Sequence, residues 1–148
     1  MNNNSIIHRN IKPENILIKK LNNNKNLYIL SNYGLLKHLI KSFNASTVQG
    51  TIDYIAPEIK NNLNTDESKV DLWSIGILIH QLFFGNTPTD NNIQKIDNNY
   101  LDDLVKKLLI EKPFDENKNN CRIDWKDYFN HNFFKNNYKK EIENLKKS

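Results

Sequence analysis

Apolar residues recur along this chain with two different periods, and the change of period divides it. Ile16 to Ile18 and Leu27 to Leu30 are short β-prone runs either side of the turn-forming Asn22-Asn23-Asn24-Lys25-Asn26, which predicts a small two-stranded ribbon. Ser31 to Thr65 shows little regular period and is punctuated by Pro57, so it reads as a long functional or disordered loop. Val70 to Phe84 then takes up helical spacing, with Leu72, Trp73, Ile75, Ile77, Leu78, Ile79, Leu82 and Phe83 apolar nearly all round. A helix of that kind is expected in the middle of a core. Gly85 and Pro88 mark its end. Tyr100 to Ile110 puts Leu101, Leu104, Val105, Leu108 and Leu109 on one face, and Asp124 to Phe129 predicts a short further helix. The expected fold class is mainly α with a small β-hairpin.

A length of 148 residues suits one domain with its own core. Residues 1–134 are expected to form it, with 135–148 a basic helical or flexible tail in which Ile142 and Leu145 stand at helical spacing among lysines. The 27 asparagines are turn formers and weak helix formers, so they belong in loops and reflect coding bias more than chemistry. A net charge of +4 permits anionic partners, but lysines interleaved with Asp and Glu make no clustered basic face, so nucleic acid is not an expected partner. Cys121 stands alone and the four histidines lack metal-ligand spacing, which excludes an intrachain disulfide and a simple zinc site. The apolar run Ile75 to Phe84 falls far short of the ~20 residues that span a bilayer, and Met-Asn-Asn-Asn-Ser is no signal pattern. No membrane contact and a cytoplasmic or nuclear location are therefore expected.

Five stretches carry the chemistry, and their order matters more than any one of them: IIHRNIKPENILI at 6–18, SNYGLL at 31–36, GTIDYIAPE at 50–58, KVDLWSIGILIHQLFFGNTP at 69–88, and CRIDWKDYFNHNFF at 121–134. The first is similar to the catalytic loop of eukaryotic protein kinases, H-R-D-L-x-x-x-N, with His8, Arg9 and Asn15 matching and Ile11 in the Leu place. The second resembles the Asp-Phe-Gly segment, the third contains Ala-Pro-Glu intact, and the fourth resembles the central helix of the kinase C-lobe. Lys12 and Pro13 favour the serine/threonine branch. The resemblance covers the back half of a kinase; the chain shows no glycine-rich phosphate loop, no strand Lys and no helix Glu to pair with it. It implies a kinase-like C-lobe lacking the N-lobe and the helix before the catalytic loop.

Two substitutions bear on what such a lobe would do. Asn10 stands where the family carries the Asp that accepts the substrate hydroxyl's proton, and an amide has no basic form near neutral pH. Asn32 stands where the family carries the Asp that holds Mg²⁺, offering one neutral oxygen to a hard cation. In active relatives the positions of Lys12 and Asn15 touch the γ-phosphate and the metal, and that of Leu17 forms the adenine floor. Equally, Asn15 caps a tight loop and Leu17 is plain core. ATP and Mg²⁺ are the family's cofactors; none is expected here.

The scaffold positions are kept. Glu58 resembles the Ala-Pro-Glu glutamate that pairs with a late arginine, here Arg122; Asp71 resembles the aspartate that binds the catalytic-loop backbone; Gly76 lets elements approach. Thr47 stands where relatives carry an activation-loop phosphothreonine that Arg9 would pair with; alternatively Thr47 is an ordinary loop hydroxyl and Arg9 caps carbonyls. The short connection between Pro88 and Tyr100 implies an incomplete substrate groove. The expected function is that of an inactive, truncated serine/threonine kinase-like protein, a pseudokinase, binding a protein partner through its exposed C-lobe surface. The alternatives are an active kinase whose N-lobe lies elsewhere through a split or misassembled gene, and a non-functional pseudogene product.

Overall fold

The computed structural model describes residues 7–22, 25–33, 52–61, 63, 67–89, 92–116 and 120–137. The two β-prone runs pair antiparallel as β1 (Ile16–Lys20) and β2 (Asn26–Leu30), with Ile16 opposite Leu30 and Lys20 opposite Asn26. Cross-strand partners share a face, so Leu17, Leu27 and Ile29 line one side and Ile18, Tyr28 and Leu30 the other. All six are exposed. Leu17, at 53% exposed, is therefore not a core residue. An isolated hairpin is marginal in water. This one is tied down at its end, where the Ser31 N–H and hydroxyl both donate to the Asn15 carbonyl at 2.8 and 3.1 Å.

Helix α1 (Pro57–Lys60) breaks the expectation of an unpatterned stretch from Ser31 to Thr65. Proline fits its first turn because the missing N–H has no intrahelical partner there. A 3-10 turn at Ile52–Tyr54 precedes it, and the Tyr54 carbonyl accepts the Ser74 hydroxyl at 2.8 Å.

The core is a helix pair. In α2 (Val70–Phe84) the residues Val70, Leu72, Trp73 and Ile77 are buried, and they meet Leu101, Leu104, Val105 and Leu108 of α3 (Asn99–Leu108). Burying each of these larger side chains contributes about 1.5–3 kcal/mol. The approach is close because position 76 is glycine: a Cβ there would lie 2.7 Å from Leu109 Cδ2 and 2.9 Å from Leu108 Cβ.

α2 is not enclosed along its whole length, however. Its last turn runs past the core, leaving Leu82 74% and Phe83 56% exposed. Composition alone made this helix look central throughout; its buried residues run from Val70 to His80. Gly85 ends it at φ 77°, its N–H donating to the Gln81 carbonyl at 2.8 Å.

The connection to α3 contains no helix among its described residues and is pinned by side chains. Buried His80 receives the Gln94 N–H on Nε2 (3.3 Å) and so donates from Nδ1 to the Asn86 carbonyl (3.0 Å). Asp102 receives the Ile96 N–H at 2.9 Å, and Asn98 caps α3 by accepting from the Tyr100 and Leu101 N–H groups, both at 3.1 Å. Helix α4 (Trp125–Phe129) starts at its Asp124 cap, and α5 (Asn132–Asn137) runs through residues 134 and 135, where the basic tail was expected to begin. Among the described residues no helix is long and apolar enough to cross a membrane.

Candidate functional site

The loop that leads into the hairpin is held by its backbone. Asp71, buried in the first turn of α2, accepts the His8 N–H on Oδ2 and the Arg9 N–H on Oδ1, each at 2.7 Å. Arg9 sits at φ 63°. A non-glycine residue in that left-handed region costs about 1–2 kcal/mol, which two charge-assisted hydrogen bonds offset. Its guanidinium pairs with Glu67, just before α2. Thr47, the hydroxyl expected to meet Arg9 when phosphorylated, lies outside the described residues. The His8 ring meets Tyr33 edge-on at 5.9 Å, so the second motif packs on the first.

Behind Arg9 the chain turns at Lys12 into a short 3-10 turn, Pro13–Asn15, with the Asn15 N–H on the Lys12 carbonyl at 3.0 Å. Buried Asn15 is the hub. Its Nδ2 donates to the Asn10 carbonyl at 2.7 Å and its Oδ1 accepts from Asn32 Nδ2 at 2.8 Å. The orientations follow from the acceptor at the far end: a carbonyl can only accept, so Asn15 must present its NH₂ there and its oxygen to Asn32, which must in turn present NH₂. Asn32 adopts φ 62°, a conformation asparagine tolerates well. Thus Asn10, Asn15 and Asn32 form one relay of neutral amides. Leu17 lies just beyond it on the open face of β1.

The late arginine ties together segments at the other side of the helical core. Arg122 donates to both carboxylate oxygens of Glu58, at 2.6 and 3.0 Å, and both side chains are fully buried. Its remaining N–H groups go to the carbonyls of Ile110 (3.1 Å), Lys69 (3.1 Å) and Glu111 (3.2 Å). The guanidinium carbon stands 4.9 Å from the Trp73 ring centre, and Lys69 Nζ returns a bond to the Arg122 carbonyl at 2.7 Å. Gly76 completes the scaffold positions singled out in the sequence.

The loop before the hairpin is thus fixed by Asp71 and by the Asn15 side chain, with asparagine at positions 10 and 32. The family model of the protein kinase domain matches residues 1–145. The chain belongs to the protein kinase family. It is 34% identical over 118 residues to developmentally-regulated protein kinase 1 of Dictyostelium discoideum, covering 72% of this chain and 16% of that protein. It is 34% identical over 149 residues to serine/threonine-protein kinase ATG1c of Arabidopsis thaliana, with coverage of 88% and 19%. To Aurora kinase B of Danio rerio it is 36% identical over 123 residues, with coverage of 73% and 37%. The chain thus spans well under half the length of each of these relatives.

The donor set at Asn15 and Asn32 fits the family's Mg²⁺ poorly, since both side chains are neutral amides and the Asn15 oxygen already accepts the Asn32 N–H. An open groove of about 830 Å³, lined by Lys69, Asp103, Cys121, Arg122 and His131 among others, shares no residue with the loop.

Sequence reasoning brought Asn10, Asn15 and Asn32 to one region but did not foresee that Asn15 and Asn32 bond directly. Nor did it find Glu67, Lys69, Ser74 or His80. Glu67 carries no local pattern, whereas Ser74 and His80 are polar residues on an otherwise apolar helix, a signal that each has a buried partner to satisfy.

Proposed function

We propose that this kinase-family chain is a catalytically inactive serine/threonine kinase-like C-lobe that works as a protein-binding module. The observation that supports it is the pairing of an intact grip with an amide at the chemical position. Asp71 holds the His8 and Arg9 backbone, while position 10 presents Asn. Loss of a general base typically costs ~10²- to 10⁴-fold. Loss of the metal carboxylate at position 32 acts on top of it, because the transferring phosphoryl group is stabilised almost wholly by cations and positioning. The surface offered to a partner includes the two exposed apolar faces of the hairpin. Neither nucleic acid nor a membrane enters this proposal.

The test is phosphotransfer from labelled ATP to a generic serine/threonine substrate by the purified chain and by Asn10→Asp/Asn32→Asp. Both are expected to remain at background, since restoring two carboxylates does not supply a glycine-rich loop or a phosphate-binding lysine. Turnover by either protein overturns the reading. A second reading, phosphotransfer completed by a nucleotide-binding lobe outside these 148 residues, is favoured by the small share of each relative that the chain spans. Its mark is ATP-dependent thermal stabilisation once such a lobe is supplied.

A further inference from the structure

The relay of amides answers a question of donor and acceptor parity. Asn15 has one face that donates and one that accepts, and the Asn10 carbonyl takes the donating face at 2.7 Å. Whatever stands at position 32 therefore meets an oxygen. An N–H satisfies it directly, and Asn32 Nδ2 does so at 2.8 Å. A carboxylate would not: it sets oxygen against oxygen, a conflict relieved by a cation between them, by a water donating to both, or by a turn of the carboxylate away into solvent. Turning Asn15 over moves the same conflict to the Asn10 carbonyl. Parity thus cannot be restored by rotation.

We propose that Asn32 makes this loop independent of divalent cations, its N–H satisfying the Asn15 Oδ1 that would otherwise face a second oxygen. This goes beyond the loss of a ligand. The chain has exchanged ligation of an external ion for an internal hydrogen bond, so that the junction of hairpin and catalytic-type loop is closed in the absence of metal. The backbone conformation supports the exchange, because φ 62° is open to both Asn and Asp, leaving side-chain chemistry as the main difference. The inference rests on the reading of the chain as inactive, but its test does not depend on turnover.

The test uses Mn²⁺ alone as the probe, on the full chain labelled with ¹⁵N. In the natural sequence the side-chain NH₂ signals of Asn15 and Asn32 are expected to keep their positions and widths up to millimolar Mn²⁺, and the melting temperature to be unmoved by Mg²⁺. Asn32→Asp is expected to lower the melting temperature by roughly 2–10 °C without metal. It should also recover part of that loss with Mg²⁺, and its Asn15 signals should broaden with Mn²⁺. Asn32→Ala lowers stability with no response to either ion. Selective broadening of Asn15 in the natural sequence overturns the proposal even if phosphotransfer stays at background. An Asn32→Asp protein as stable as the natural one without metal does the same. Turnover by the natural chain, with its Asn15 and Asn32 signals unmoved by Mn²⁺, would sink the functional reading and leave this one standing. If Asn32→Asp does not fold, the unmoved or broadened signals of the natural chain decide alone.

Discussion

Arg122 and Glu58 meet 64 positions apart in sequence, fully buried, through two parallel N–H···O bonds. The pair joins α1 to the segment before α4, and three backbone carbonyls use up the guanidinium's other donors. Breaking such a pair leaves a charge with no partner and no water. Arg122→Met is therefore expected to cost about 3–5 kcal/mol by urea denaturation, and Arg122→Lys to recover little of it, since an ammonium cannot span both oxygens. The double change Glu58→Leu/Arg122→Met should be milder than the single one.

Asp71 contributes through the amide protons of His8 and Arg9. Asp71→Ala removes two charge-assisted bonds and is expected to destabilise by roughly 2–4 kcal/mol. Hydrogen exchange should localise the effect, with the His8 and Arg9 amides losing protection first. Uniform loss across α2 and α3 instead would show that the loop is not the part Asp71 holds.

Gly76→Ala sets two tendencies against each other. Alanine gains about 0.5–1 kcal/mol of helix preference, but the new methyl meets Leu108 Cβ at 2.9 Å, an atom fixed to its own backbone. Overpacking of this kind costs about 1–3 kcal/mol. The net expectation is a loss of about 1–2 kcal/mol in denaturant; a gain would mean that α2 and α3 slide apart freely.

Acid should weaken α3 through Asp102 and Asp103. The hydrogen bond from Lys106, then that from the Ile96 N–H, holds the Asp102 carboxyl below the usual range; for Asp103 the Lys107 bond leads, with His131 adding to it. A carboxyl whose pKa is lower folded than unfolded adds stability above its unfolded value, near 3.9, and loses it as pH falls through the folded value. Asp102→Asn should thus be less stable than the natural chain at pH 6, with the difference shrinking below pH 4 as midpoints in urea converge.

How much of this was legible in the sequence depended on how local each cause is. α2 announced itself by apolar residues nearly all round, α3 because Leu101, Leu104, Val105 and Leu108 repeat along one helix face, and the hairpin because Asn-rich turn residues separate two β-prone runs. α1 did not, since four residues are too few to show a period. The exposure of Leu82 and Phe83 was hidden because apolarity tells what a residue prefers, not how far its partner helix extends. Asn10, Asn15, Asn32, Glu58, Asp71 and Arg122 were all named from the resemblance to protein-kinase motifs, yet the bond between Asn15 and Asn32 needed the fold to bring 17 positions of separation down to 2.8 Å. Glu67 beside Arg9 had no signal at all.

Asp71 grips amide protons, which every residue but proline possesses, and Asn10 lends the network its own carbonyl and N–H. Among the described residues the loop thus uses position 10 through its backbone alone, so the group that would decide chemistry there and the groups that hold the loop in place belong to different parts of the same residue.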